Sequence, residues 1–239
     1  MLNAFLLLPF GFGLIAGSFL NVVIYRLPRR ESVVFPPSHC PNCGHQLGFF
    51  DLFPILSYLW LGGRCRYCRR KINPRYPLVE LVTSLVTVIW WLRFGFSPVG
   101  LPVLVVSYVL IPIAYIDLEH QIIPDLLTLP LIAFGLIFRL WQGEIWDGLF
   151  GALVGGGVLG LIAIVYPRGM GWGDAKLLAA VGLFLNWMKS CYVIFLGSFM
   201  GLIIMIPLIL LKKAAKHQAF PFGPFLVFAA LIVIYWPYF

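Results

Sequence analysis

Long apolar runs separated by short polar stretches dominate this chain. Eight runs stand out, at 4–24, 78–93, 101–117, 125–141, 148–166, 175–188, 191–211 and 222–238. A membrane helix needs about 20 apolar residues, within a range near 17–25. The pattern therefore predicts about eight transmembrane helices. The run 175–188 is short, covering only about 20 Å at 1.5 Å per residue. One long polar segment interrupts the series, at 25–77. The organisation expected is a first helix at 1–24, a loop domain at 25–77 and a membrane domain at 78–239 holding helices two to eight.

Composition agrees with a bilayer as solvent. The 239 residues are 61% hydrophobic and 11% charged, with mean hydropathy +0.95. Soluble domains average roughly 45–50% apolar and about 25% charged. The net charge of +8 can signal a nucleic-acid partner, but here the basic residues lie between apolar runs and read as topology signals. Nine of the seventeen Lys and Arg fall in 25–77: Arg26, Arg29, Arg30, Arg64, Arg66, Arg69, Arg70, Lys71 and Arg75. The positive-inside rule places that loop in the cytoplasm. Alternation then puts 118–124, 167–174 and 212–221 on the same side, the last with Lys212, Lys213 and Lys216. Arg93, Arg139 and Lys189 are exceptions near the outer ends of helices. The first run lacks Lys, Arg and a small-residue cleavage signal, so it reads as a retained span.

Four of the five cysteines form two pairs in the polar loop, Cys40-Pro-Asn-Cys43 and Cys65-Arg-Tyr-Cys68, with 21 residues between them. Each pair can clamp one side of a tetrahedral ion. Four thiolates close the shell, which suits structural zinc. A reducing cytoplasm disfavours disulfides. A small zinc-ribbon-like domain without a core of its own is expected, with Gly44 and Gly63 near its turns. Cys191 opens an apolar run and reads as packing.

Only nine residues are acidic, and two of them sit at hydrophobic boundaries. Asp117 ends the third run and Asp174 opens the sixth. An ionisable group near membrane depth is costly and points to function. Asp174, in Gly171-Trp-Gly-Asp174-Ala-Lys176, can also be an N-cap, and Asp125 after Pro124 is best read as one. Asp117 lies at a helix C-terminus, where the dipole disfavours an anion. The predicted topology puts Asp117 and Asp174 at one face, although 57 residues separate them. If they meet, they share a proton, and one can activate water while the other polarises a carbonyl. Lys176 can act on Asp174 if it turns back; Glu119 and His120 face the cytoplasm. Gly171 and Gly173 give backbone freedom around Asp174, and this GxG is too short for a nucleotide. The glycines of 148–160, with Gly151 and Gly155 as a GxxxG, predict close helix packing.

Together these residues resemble the bacterial prepilin peptidases, the type IV leader peptidase and N-methyltransferase family. The resemblance covers nearly the whole chain. It rests on Gly17-Ser-Phe-Leu-Asn21-Val-Val-Ile-Tyr-Arg26-Leu-Pro28, both Cys pairs, Arg75-Tyr-Pro-Leu-Val-Glu80-Leu, Asp117 with Pro124-Asp125, and Gly169-Met-Gly-Trp-Gly-Asp174-Ala-Lys176. It implies an aspartic endopeptidase of the GxGD type, with Asp117 and Asp174 catalytic and Asp125 not. It implies type IV prepilins or pseudopilins as substrates, cleaved at the cytoplasmic face of the bacterial inner membrane. It also implies S-adenosylmethionine-dependent methylation of the new N-terminus, with Gly63, Arg64 and Glu80 as candidates for the methyl donor. The partners expected are the pilin substrates and the lipid bilayer, with no nucleic acid. Two other readings stand beside this one. A proton- or cation-coupled transporter would use the aspartates as a relay, and a zinc-ribbon scaffold would leave them as caps.

Overall fold

The computed structural model describes residues 2–167, 169–210 and 220–236. The described chain is helical: α1 Leu2–Arg26, α2 Leu56–Trp60, α3 Arg75–Phe94, α4 Gly100–His120, α5 Asp125–Gln142, α6 Ile145–Val165, α7 Trp172–Phe184, α8 Trp187–Leu210 and α9 Gly223–Tyr235. Apart from the five-residue α2, each helix covers one of the eight predicted runs. Six of them, α1, α3, α4, α5, α6 and α8, are long and apolar enough to cross a bilayer. The other two, α7 and α9, have 13 residues each. Leu7, Leu8, Leu92, Leu126, Ile137 and Leu161 are exposed on the flanks of these helices, as expected where hydrocarbon is the neighbour. The chain is an integral membrane protein. Most of the predicted 212–221 loop, with its three lysines, lies outside the described residues.

The chain forms two compact units, Met1–Pro112 and Ile113–Phe239. In the first, α1 lies against α3 along a glycine seam. A Cβ at Gly13 would sit 2.5 Å from the Ser84 Cα, and one at Gly17 would sit 2.6 Å from the Glu80 Cα. Small residues let two backbones approach this closely. Facing polar groups are satisfied inside the seam. Thr83, Ser84 and Thr87 bond back to carbonyls four residues earlier, and Asn21 donates to the Tyr76 carbonyl at 3.0 Å. Arg26 is buried and donates to the Ser32, Pro36 and Pro37 carbonyls, pinning the start of the loop.

In the second unit the glycines of α6 pack on α7. A Cβ at Gly151 would collide with the Gly182 carbonyl, and one at Gly156 would sit 2.6 Å from the Ala179 Cβ. This is the close packing expected of that stretch. The sixth run differs from expectation at both ends. α7 starts at Trp172, three residues early, and stops at Phe184, because Asn186 caps α8 through the Lys189 N–H at 2.9 Å. Arg139, an exception to the charge rule, is a structural cation. It is buried, and it donates to the Leu183 and Phe184 carbonyls that end α7, at 2.7 and 3.0 Å. A cation is favourable at a helix C-terminus.

Candidate active site and metal centre

Two clusters of chemically active side chains stand out, one in each unit. In the first unit, Cys40, Cys43, Cys65 and Cys68 have their sulfurs within 4.8 Å of one another. The Cys40 and Cys68 Sγ atoms are 3.9 Å apart. Four sulfurs at about 2.3 Å from a tetrahedral zinc would be roughly 3.8 Å apart, so the Cys40–Cys68 separation matches such a site and the cluster as a whole lies close to it.

The two Cys-x-x-Cys segments have the same local fold. In each, the first cysteine N–H bonds to the carbonyl five residues on, and its carbonyl accepts the N–H four residues on. Short antiparallel bridges, His39 to Gln46 and Arg64 to Lys71, close the bases. Each turn needs a left-handed residue four positions after its first cysteine. Gly44 supplies it at φ +71°, but the second turn uses Arg69 at φ +60°. Gly63, at φ +66°, lies before the second turn and packs against the Tyr58 ring.

The spacer ties the turns together. Asp51 accepts from Arg66 Nε at 2.7 Å, Tyr67 Oη at 3.1 Å and the Gly48 N–H at 3.2 Å. Burial pushes the Asp51 carboxyl up, but these donors outweigh it and hold the group below the usual carboxylate range. At Cys65, burial likewise opposes the thiolate. The Cys68 and Tyr67 N–H groups, with hydrogen bonds from Cys40 and Cys68, together outweigh it, and its thiol is lowered to about 7. Of the candidate methyl-donor residues, Arg64 is exposed. Glu80 is buried, and its Oε2 accepts the Ile55 N–H at 2.7 Å.

In the second unit, Asp117 and Asp174 line one cavity of about 420 Å³. Asp117 occupies the last turn of α4 and is 6% exposed, while Asp174 occupies the first turn of α7 and is 9% exposed. They are near enough for the charge on one to act on the other. The fold thus brings together two carboxylates far apart in sequence. Asp117 caps no helix, and Asp174 is not the N-cap but the third residue of α7, with the Gly171 N–H acting on its carboxylate. Gly171 is the N-cap of α7, with no side-chain cap bond. Asp117 answers the unfavourable dipole of its own helix by accepting the Gly223 N–H, at the start of α9, at 2.9 Å. Asp174 Oδ1 is buried without a hydrogen-bond partner.

The connection from α4 to α5 forms the rest of the rim. Gln121 ends α4 in a left-handed conformation, φ +55°, and bonds its N–H to the Asp117 carbonyl at 2.8 Å. Ile122, Ile123 and Pro124 add an apolar wall. A side chain on Gly173 would sit 2.9 Å from the Ile123 Cβ, so this glycine lets that wall close on α7. Asp125 is not the cap expected of it. Pro124 holds the cap position, and both Asp125 oxygens accept from Lys176 Nζ at 2.8 and 2.9 Å. Lys176 therefore turns to Asp125 rather than to Asp174. Sequence reasoning missed Gln121 and Gly223. A glycine before a proline at a helix start, Gly223-Pro224, was the one local signal available.

The chain matches the Bacterial Peptidase A24 N-terminal domain over residues 12–94 and the Type IV leader peptidase family over residues 104–206. It is 38% identical to the prepilin leader peptidase/N-methyltransferase of Aeromonas salmonicida, covering 96% of this chain and 90% of that protein. It is 38% identical to the protein of the same name from Pseudomonas aeruginosa, covering 98% and 91%, and 36% identical to that from Neisseria gonorrhoeae, covering 92% and 87%. No solved structure matches the chain. Over nearly its whole length, then, this chain belongs to the type IV leader peptidase family.

Proposed function

We propose that Asp117 and Asp174 are the catalytic pair of a membrane aspartic endopeptidase that removes the leader from type IV prepilins or pseudopilins. The observation that supports this most is the lining of one cavity by two buried carboxylates, from the ends of α4 and α7, in a chain of this family. Buried charge is costly and persists where it is used.

Chemistry follows from a shared proton. The ionised carboxylate takes a proton from water as the water oxygen bonds to the scissile carbonyl carbon. The protonated carboxylate gives its proton to the carbonyl oxygen, forming a gem-diol. The first carboxyl then protonates the amide nitrogen as the C–N bond breaks, and the second recovers a proton from a gem-diol hydroxyl. Both groups return to their starting states. The apolar wall of Ile122, Ile123 and Pro124 suits a bond beside the hydrophobic helix of a pilin. We place the site and the cysteine loop at the cytoplasmic face of the bacterial inner membrane.

The same chain N-methylates the new terminus in our reading, with zinc held by the four cysteines as a structural ion. S-adenosylmethionine would supply an electrophilic methyl group on its sulfonium, with the neutral thioether as leaving group. Arg64, exposed beside Cys65, can bind the donor's carboxylate, with Gly63 next to it. Glu80 serves by holding Ile55 and so the spacer.

Purified protein and a purified prepilin, followed by gel mobility, test the peptidase. Asp117→Asn and Asp174→Asn should each abolish cleavage while the protein stays folded. Normal cleavage by either variant overturns the assignment.

A further inference from the structure

The surroundings of the two cavity carboxylates differ. Asp117 Oδ2 accepts the main-chain N–H of Gly223 in a direct 2.9 Å bond, whereas Asp174 has only the Gly171 main-chain N–H acting on its carboxylate and keeps its buried Oδ1 without a donor. Gly223 opens α9, so its N–H is one of the donors that a helix start leaves unpaired, at the positive end of the helix dipole. Pro224 follows, as suits a first turn. The contact has no room for a side chain: a Cβ at 223 would lie 2.7 Å from Asp117 Oδ2 and 3.1 Å from its Cγ. The cation on the cavity rim, Lys176, is engaged by both oxygens of Asp125.

We propose that Gly223 is a positioning residue for hydrolysis. Its amide fixes Asp117 as the carboxylate that takes the proton from water, and this leaves Asp174 to carry the proton offered to the scissile carbonyl. The inference rests on the aspartic-peptidase reading and divides the labour within it. A donated N–H favours the charged form of the oxygen that accepts it. It also fixes the orientation of the carboxylate plane, so that Oδ1 of Asp117 is the oxygen left for water. A main-chain donor does this without adding a second charge to a buried site.

Full-length protein with a prepilin substrate tests the idea, read as separate kcat and KM values. In Gly223→Ala the new Cβ displaces the Asp117 carboxylate. Loss of a charge-assisted hydrogen bond of this kind should lower kcat roughly 10- to 100-fold, with KM unchanged. Gly197→Ala is the steric control. Its Cβ presses on α9 at 3.2 Å from Leu226 Cδ2, away from the aspartate, and its kcat should match wild type. If Gly223→Ala does not fold, replacing the Gly223 amide by an ester deletes the N–H and adds no atom. The same fall in kcat is then expected. Wild-type kcat in the ester form, or a change confined to KM, overturns the proposal. Asp117→Asn is assayed in parallel. If that variant cleaves normally, the peptidase reading fails. If it is inactive while the ester form is fully active, only the role of Gly223 fails.

Discussion

Arg69 occupies a backbone position built for glycine. The two cysteine turns are the same structure, yet the left-handed residue is Gly44 in one and Arg69 in the other. A side chain costs about 1–2 kcal/mol in that conformation. Gly44→Ala should therefore weaken metal binding by about 5- to 30-fold, because folding of the loop and binding of the ion are coupled. Arg69→Gly should leave the affinity equal or higher. Competition with a chromophoric chelator measures both. Tighter binding by Gly44→Ala would show that the turn conformation does not limit the site. The cysteines themselves were legible because their spacing carries the chemistry. Arg69 was not, since nothing in an arginine's neighbours announces a positive φ.

At the scale of helices, the contact between α6 and α7 depends on which glycines face it. Gly151 meets the Gly182 carbonyl directly, whereas a Cβ on Gly157 would find its nearest neighbour 3.9 Å away. Gly151→Ala should cost about 1–3 kcal/mol through overpacking. Gly157→Ala should be neutral or stabilise by up to about 1 kcal/mol, because alanine loses less entropy in a helix. Thermal unfolding in detergent ranks the two, and equal melting temperatures would refute the proposed seam. The positions of the helices were readable from apolar run length, because a bilayer demands that length. The ends of α7 were not, because Trp172 and Gly173 lie outside any apolar run, and the stop comes from the Asn186 side chain. The Gly13–Gly17 seam of α1 was legible too, since it has the same GxxxG spacing as Gly151 and Gly155, but it was not predicted. The meeting of Asp117 with Gly223, 106 residues away, is a product of packing that no local pattern encodes.

For the whole molecule, the two proposed sites fall in different parts of the chain. Every group placed in the peptidase site, Asp117, Asp174, Gln121, Gly173 and Gly223, belongs to the unit Ile113–Phe239, while the four cysteines belong to Met1–Pro112. Stripping the metal should thus abolish methylation and leave leader cleavage within a few-fold of its starting rate. Labelled methyl incorporation and gel mobility, measured on one sample, report the two activities. Acid offers a second way to empty the site. Thiolates bind the ion and thiols do not, so protons compete with metal and affinity falls as pH falls. Asp51, held below the usual carboxylate range, contributes stability above its unfolded pKa and loses it only as pH falls through its lower folded value. Methylation should therefore fade with the metal, before the Asp51 clamp opens, and chelation at neutral pH should reproduce that loss. Parallel loss of cleavage and methylation on chelation at neutral pH would mean that the ion supports the peptidase as well, and the separation argued from the two units would be wrong.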